Sequence, residues 1–301
     1  MKKASTVLRV LGGIMACLLV IIAFLGLMVR MCFLDEYKYR DAILTEEFYE
    51  EIDKARAKNL ESLGTMIEVE EGVYDKYASE AVCHELGKEY VCALIDDMMN
   101  GGSDATKIKF ASPELLAYLK EDYAGYDFTA AGFNSSDAAA EAAYTIICDQ
   151  IDTAVLFVPE KISRNLDVVS RLFVLARDIS FFWFVPLILA VPLYLAIVFA
   201  GGNRKSNLFG AASSFWCAAV LCFVPVLVLY LGTDTEYLDF DRNALYSFVS
   251  GCINAVRGSA MLCAGIFFGA ASAFVAVTGL RATAARQLST PAPVVAEDDY
   301  D

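Results

Sequence analysis

Four uncharged apolar segments constrain the fold of this chain more than any other feature. They cover residues 10–29, 179–200, 209–232 and 259–280, and each has at least 20 residues. An α-helix rises about 1.5 Å per residue, so about 20 residues cross the ~30 Å hydrocarbon layer of a membrane. The hydrophobic fraction of 57% exceeds the usual share in a soluble domain. The sequence therefore predicts an all-α, multi-pass membrane protein with four transmembrane helices.

Basic residues beside the predicted spans indicate the orientation, because Lys and Arg in short loops collect on the cytoplasmic side. Those on one side of the membrane are Lys2, Lys3, Arg9, Arg204, Lys205, Arg281 and Arg286. Those on the other side are Arg30, Arg177, Arg242 and Arg257. The larger group predicts cytoplasmic N- and C-termini in a bacterial cytoplasmic (plasma) membrane.

This orientation divides the chain into four predicted parts. Residues 1–31 form the cytoplasmic N-terminus and transmembrane helix 1, and residues 32–178 form an extracytoplasmic helical domain inserted between spans 1 and 2. Residues 179–281 hold transmembrane helices 2–4 with a short outer loop at 233–258. Residues 282–301, which contain two prolines and an acidic end, are predicted to be a disordered cytoplasmic tail.

The inserted segment carries the negative charge of the chain. Residues 32–178 contain 30 acidic and 14 basic side chains, while the whole chain has a net charge of −14. This charge argues against binding to nucleic acid or anionic lipid. It permits binding to cations or basic partners, although a solvated helical surface explains the same composition.

Apolar spacing predicts that the inserted segment is a bundle of helices. Apolar residues at three- and four-residue steps indicate helices over about 36–63, 74–99 and 140–158. Gly101 ends the second of these helices. Ser112, which stands before a proline and a glutamate, is a typical residue to cap the start of a further helix.

Nine cysteines do not form a recognisable disulfide framework. Those inside the predicted spans are Cys17, Cys217, Cys222 and Cys263, and those near the outer membrane face are Cys32 and Cys252. Cys83 and Cys92 would lie ~13 Å apart on one helix, which is too far for a disulfide. Cys148 could pair with either of them, and an odd count in the domain leaves a free thiol or a pairing with Cys32.

The stretch AVCHELGKEY, residues 81–90, differs by one residue from the zinc-protease motif H-E-x-x-H. Lys88 stands where the second histidine would be, and an ammonium group offers no lone pair to a metal. His84 is also the only histidine in the chain. The sequence therefore predicts no zinc site and no catalytic centre here, and it suggests no cofactor elsewhere.

The predicted outer loop contains Asp239, Asp241 and Asn243, which begin like a calcium-binding loop. Such a loop needs glycine at its sixth position and glutamate at its twelfth, where this chain has Ala244 and Ser250. We interpret the segment as a cap and turn before a helix. If a cation binds the protein, Asp239 and Asp241 are the predicted contacts.

Small residues recur along one face of the fourth span. This stripe consists of Gly251, Gly258, Gly265, Gly269, Ser272, Ala276 and Gly279. Small residues let membrane helices approach closely. The stripe predicts helix packing, either against the other spans of this chain, which we favour, or through self-association or a membrane-protein partner.

The spans offer little support for ion-coupled transport, because no charged residue lies within them. Pro186 and Pro192 in span 2 and Pro225 in span 3 each remove a helix hydrogen bond and could form a hinge or a gap. These prolines keep a permease subunit or a small-solute channel as an alternative function.

Two segments carry a resemblance to a family of bacterial four-span membrane proteins with no assigned activity. The segment NLDVVSRLF at residues 165–173, and Phe240-Asp241 with Phe248, resemble the family's two motifs. Both family motifs contain a histidine that this chain lacks. The resemblance implies the same layout, with a large outer segment between spans 1 and 2.

Taken with the short predicted cytoplasmic parts, these features favour a non-enzymatic membrane protein. The expected role is interaction or sensing in the bacterial envelope through the extracytoplasmic domain. No segment is long enough for a cytoplasmic output domain, so a signal would pass to partner membrane proteins.

Overall fold

The computed structural model describes residues 2–64, 71–156, 160–199, 204–232 and 244–287. Over these residues the fold is all-α, as predicted, and contains no strand. The chain divides into two compact units. The span unit draws on Met1–Phe33, Arg177–Thr233 and Arg257–Asp301, and the acidic unit draws on Leu34–Ala176 and Asp234–Val256.

In the part of the chain that the structure describes, four stretches of helix are long and apolar enough to cross a membrane, which agrees with the four predicted spans as candidates. They are Val10–Phe33, Asp167–Phe199, Asn207–Gly232 and Ala244–Arg281. The helices concerned are α1 (Lys2–Met28, followed by a π-helical turn at Val29–Phe33), α8 (Glu160–Phe181), α9 (Phe184–Phe199), α10 (Arg204–Gly232) and α11 (Ala244–Gln287).

The second span is not one continuous helix, because α8 ends at Phe181 and α9 begins at Phe184. At the break, the Phe182, Trp183 and Val185 amides donate to carbonyls three residues earlier, rather than four. Pro186 explains the break, since its ring would clash with the carbonyl of Phe182 in a continuous helix and suits only the first turn of a new one. Pro192 and Pro225, by contrast, lie inside α9 and α10.

Helix α11 is longer than predicted. Residues 282–287, which were expected to belong to a disordered tail, continue the helix to Gln287. Alanine, arginine and glutamine in this stretch have high helix propensity, and this accounts for the extension.

Alanines are among the most deeply buried side chains of the span unit. Its fully buried alanines are Ala16, Ala212, Ala218, Ala219, Ala264 and Ala271. Aromatic rings fill the space beside them, with Phe24 and Phe267 stacked at 4.5 Å between centroids. The Ser214 hydroxyl donates to the Gly13 carbonyl at 2.9 Å and fastens α10 to α1. Small residues of this kind allow helices to approach closely in lipid.

The acidic unit has a core of large side chains. Its helices are α2 (Glu36–Ile43), α3 (Glu46–Gly64), α4 (Glu71–Tyr77), α5 (Glu80–Asn100), α6 (Pro113–Asp122) and α7 (Ser136–Val155), with parts of α8 and α11. The fully buried side chains include Phe48, Ile52, Leu94, Leu119 and Ile147. Helix α7 packs against α3 and α6, and α5 packs against α2 and α3.

Two predicted helices of the acidic unit are broken. The helix expected over 36–63 is interrupted at residues 44–45, and the helix expected over 74–99 is interrupted at residues 78–79. Ile43 and Phe48 are both fully buried, but five residues of a straight helix turn through about 140°. The first break therefore lets both side chains enter one core.

Several predicted helix ends are confirmed. The Ser112 hydroxyl accepts from the Leu115 amide at 3.2 Å at the start of α6, and Gly101, with a φ of +76°, follows the last residue of α5. The link from α5 to α6 contains a short 3₁₀ turn at Ala105–Lys107 rather than a strand. The buried Asp97 carboxylate holds this turn by accepting from the Asp104 and Ala105 amides at 3.0 and 2.8 Å.

Candidate functional site

His84 in AVCHELGKEY pairs with a carboxylate. Its Nε2 lies 2.8 Å from Asp53 Oδ1, and this contact joins α5 to α3. The Tyr49 ring packs beside the imidazole at 4.7 Å between centroids. Within the described ranges, no group of three or more His, Cys, Asp or Glu side chains is arranged to hold a metal ion. The arrangement has the properties of a contact between helices.

Two buried cysteines of the acidic unit, Cys83 and Cys148, are poor nucleophiles. Burial raises the pKa of the Cys83 thiol to about 11, and burial likewise raises the pKa of Cys148. Neither is joined to another cysteine in the structure, where all nine side chains are thiols. A thiol held in its protonated form does not attack or bind metal well.

The sequence did not predict one contact between two cysteines. Cys32 Sγ lies 3.8 Å from Cys263 Sγ within the span unit. The two residues are far apart in the chain and belong to different spans, so no local spacing reveals the contact. Since all nine cysteine side chains are thiols, the structure shows neither a disulfide of Cys32 with a cysteine of the acidic unit nor one of Cys148 with Cys83 or Cys92.

The predicted cation contacts Asp239 and Asp241 lie outside the described residues.

The small-residue stripe on α11 lies within the described residues, and its members differ in how closely other helices approach them. A Cβ added to Gly251 would lie 2.8 Å from the Ala42 carbonyl oxygen and 2.8 Å from Ile43 Cγ1. Gly251 is therefore a site of very close helix approach inside the acidic unit.

The rest of the stripe makes fewer contacts. A Cβ added to Gly258, Gly265 or Gly269 would meet none of the described residues within 4 Å. Ser272 accepts a hydrogen bond from Trp216 Nε1 at 3.0 Å, while Ala276 is exposed. Gly279 would bring a Cβ to 3.4 Å from the Phe209 ring.

A neighbouring alanine face of α11 makes further in-chain contacts within the span unit. Ala260, Ala264 and Ala271 are the buried residues there. Gly258 and Gly265, together with Tyr230 of α10, line an open notch of about 490 Å³. Because the notch is lined by small and apolar residues, it can admit another apolar surface.

The acidic unit contains an aromatic groove that sequence analysis did not identify. It lies between the end of α6, the following loop and α7, and it has a volume of about 420 Å³. Tyr123, Tyr126, Phe128 and Phe133 line it. The Tyr123 and Phe128 rings stack with centroids 5.0 Å apart, and Tyr126 lies 6.3 Å from Phe128.

The floor of the aromatic groove is apolar. Ala139, Ala142, Ala143 and Ile146 of α7 form it, and the small size of alanine leaves room above the helix. Asp122 is the only charged side chain among the lining residues. Burial, and the nearby Asp122 charge to a smaller extent, raise the pKa of the Tyr123 hydroxyl.

Local hydrogen bonds fix the loop that forms the groove. The Asp127 carboxylate accepts from the Thr129 amide at 2.9 Å and from the Thr129 hydroxyl at 2.7 Å. These bonds lower the pKa of Asp127. Gly125 and Gly132 have φ values of +100° and +87°, which favour glycine because it has no Cβ. The loop thus has a defined shape before any ligand arrives.

Hollows in the span unit are mainly apolar. The one between α1, α9 and α10 has a volume of about 580 Å³, and Asn207 and Ser214 are polar residues in its lining. Both side chains already donate to backbone carbonyls, Asn207 to Val198 at 3.3 Å and Ser214 to Gly13 at 2.9 Å. Neither group marks a polar path across the spans.

Taken together, the four apolar helices support the class of multi-pass membrane proteins for this chain. The comparisons add no further identification, because no family model, curated protein or solved structure matches the chain. Its role is therefore argued from the geometry of its own residues.

Proposed function

We propose that this protein binds a ligand or partner in the bacterial cell envelope through the acidic unit, which would lie outside the cytoplasm. In this proposal its output passes to partner membrane proteins rather than to a reaction of its own. The observation that carries the proposal is the aromatic groove, a shaped cavity in a unit with its own core of large apolar side chains. Cavities of a few hundred Å³ are typical of small-molecule sites.

Binding accounts for the groove better than catalysis does. Catalysis needs a nucleophile, acid or base close to the bound substrate. The groove is lined by rings, alanines and a single carboxylate, and the buried thiols Cys83 and Cys148 are not among its lining residues. We therefore propose a non-enzymatic role.

The span unit supplies the route for output in this proposal. The notch around Gly258 and Gly265 would accept a helix of a partner protein or of a second copy. Close packing drives helix association in lipid, where apolar side chains gain little by leaving lipid for protein. Small residues with unfilled space beside them suit such packing.

Transport is the alternative role, and the span unit offers it limited support. Its hollows are lined mostly by apolar residues, whereas a solute path needs polar groups at depth. Purified protein in liposomes tests this alternative. Specific solute flux would favour a permease or channel over the proposed role.

The location of the acidic unit is tested by labelling engineered cysteines with a membrane-impermeant maleimide in intact cells. Ser103→Cys lies in an exposed part of the acidic unit, and Lys205→Cys marks the start of α10. We expect Ser103→Cys to be labelled in intact cells and Lys205→Cys to be labelled only after permeabilisation. The wild-type chain measures labelling of the native cysteines. The opposite pattern would overturn the proposed location.

A further inference from the structure

The aromatic groove has the chemistry of a site for an organic cation. Aromatic faces carry a negative quadrupole and attract ammonium groups within about 6 Å of the ring centre. At the groove, the Phe128 ring has two aromatic neighbours, Tyr123 at 5.0 Å and Tyr126 at 6.3 Å between centroids. A small cationic group can lie against the parts of these rings that the stack leaves open.

The charge of the groove points in the same direction. Residues 121–140 contain four acidic side chains and no basic one. In this segment, the Asp127 carboxylate already accepts two hydrogen bonds from Thr129. The Asp122 carboxylate lines the groove. No lysine or arginine whose side chain the structure describes forms an ion pair with Asp122. The carboxylate is therefore available to a positive ligand.

The floor of the groove restricts the rest of the ligand. Ala139, Ala142, Ala143 and Ile146 present methyl groups and no hydrogen-bond donor. A sugar with many hydroxyls would find no hydrogen-bond partner on this floor. An anion would meet Asp122 and the negative faces of the rings. A methylated ammonium group, with its low hydration and apolar surface, matches both floor and walls.

We propose that the aromatic groove binds a small organic cation of the quaternary ammonium class. The Tyr123, Tyr126 and Phe128 rings would line one side of the ammonium group, Asp122 would balance its charge, and the alanine floor of α7 would take its methyl groups. This inference rests on the proposed function, since it names the class of ligand that the acidic unit would recognise.

The test measures binding of choline and of its neutral isostere 3,3-dimethylbutan-1-ol to the full chain. Isothermal titration in a maltoside detergent suits the purpose, because that headgroup carries no ammonium that could compete. We expect choline to bind at least tenfold more tightly than the isostere, since the two differ in charge and hardly in shape. Equal affinity of the two compounds, or binding of neither, would overturn the proposal.

Variants locate the site within the groove. Tyr126 is 68% exposed, so Tyr126→Ala is compatible with folding, and we expect choline affinity to fall about tenfold. Tyr126→Phe keeps the ring and should retain affinity, whereas Asp122→Asn keeps the shape and should weaken binding. Tyr37 is 75% exposed elsewhere in the acidic unit, and Tyr37→Ala should leave binding unchanged. Unchanged affinity in both Tyr126→Ala and Asp122→Asn, at an unchanged melting temperature, would refute the assignment.

The two proposals fail in different ways. Titration of purified protein does not depend on which side of the membrane the acidic unit occupies, whereas cysteine labelling depends only on that. Loss of choline binding with outside labelling of Ser103→Cys would refute the ligand class alone. Choline binding with labelling from the cytoplasmic side would refute the proposed function alone.

Discussion

The two units differ in the size of the side chains that they bury most deeply. The acidic unit buries large residues such as Phe48, Ile52 and Ile147, as proteins in water do. The span unit buries alanines completely, while large apolar side chains such as Leu189 and Leu221 remain exposed. Exposing leucine to lipid costs far less free energy than exposing it to water. In lipid, the close approach of helix backbones stabilises the packing instead. The same chain therefore follows two packing rules, each suited to a different solvent.

The largest expected effect comes from emptying the core of the acidic unit. Phe48 is fully buried and contacts Tyr49 edge to face at 5.4 Å between centroids. Phe48→Ala should lower the free energy of unfolding of this unit by about 3–5 kcal/mol, through lost burial and the cavity left behind. Hydrogen exchange of the detergent-solubilised chain would measure the loss.

A matched change in the span unit sharpens the contrast. Leu221→Ala removes an exposed apolar side chain and should leave amide protection within about 0.5 kcal/mol of the wild type. If Phe48→Ala and Leu221→Ala lost comparable amide protection, burial of large side chains would not distinguish the two units.

The next effect comes from adding atoms to two glycines of α11. A Cβ at Gly251 would meet the Ala42 carbonyl at 2.8 Å, and a backbone atom cannot move aside as a side-chain tip can. Gly251→Ala should therefore lower the free energy of unfolding by about 1–3 kcal/mol. A melting temperature equal to that of the wild type would contradict the close approach at this glycine.

Gly265 should respond in another way, because a Cβ there would meet none of the described residues within 4 Å. Gly265→Leu should keep the melting temperature of the wild type but lose chemically cross-linked complexes in membranes. Gly210→Leu is a matched control, since Gly210 also has open space beside it and lies away from the notch. Equal cross-linking in the two variants would remove the proposed partner face.

The smallest expected effect is the pH dependence of the contribution that Asp152 of α7 makes to stability. Its carboxylate accepts from the Phe110 amide at 2.7 Å, yet burial raises the pKa of Asp152 overall. The native state therefore holds this proton more tightly than the unfolded state, whose pKa is about 3.9. The contribution of Asp152 to stability should rise as pH falls through its raised native pKa towards about 3.9, and should decline as pH rises.

Asp152→Asn can still accept the Phe110 hydrogen bond but no longer titrates. We expect the variant to be slightly more stable than the wild type at pH 7, with the difference shrinking as pH falls towards 4.5. Denaturant unfolding at the two pH values measures it. A difference that grows on acidification would reverse the sign of the argument.

The sequence predicts best those features that depend on neighbours in the chain. Four apolar runs predicted the four candidate spans, and Ser112 and Gly101 predicted helix ends, because hydropathy and capping act over a few residues. The break at residues 44–45 was missed, since it depends on burying Ile43 and Phe48 in one core. The extracytoplasmic position of the inserted domain is still a prediction from charge alone.

The candidate site was harder to predict for the same reason. The groove unites aromatic residues at uneven spacing with one face of α7, and only tertiary packing brings them together. A weak signal existed in residues 121–140, where four aromatic residues occur among acidic residues and glycines without any basic residue. The sequence showed the small-residue stripe as a pattern. Periodicity alone could not show which of its glycines have neighbouring residues in the space beside them.

The contact between His84 and Asp53 has a practical consequence. Since the chain contains one histidine, the imidazole carbon-bound protons would give a single pair of resonances in a spectrum selective for that side chain. Those signals could be assigned without mutagenesis, even in a micelle of large mass. Their shifts would serve as a built-in reporter of whether α3 and α5 stay together when detergent, lipid or a ligand is changed.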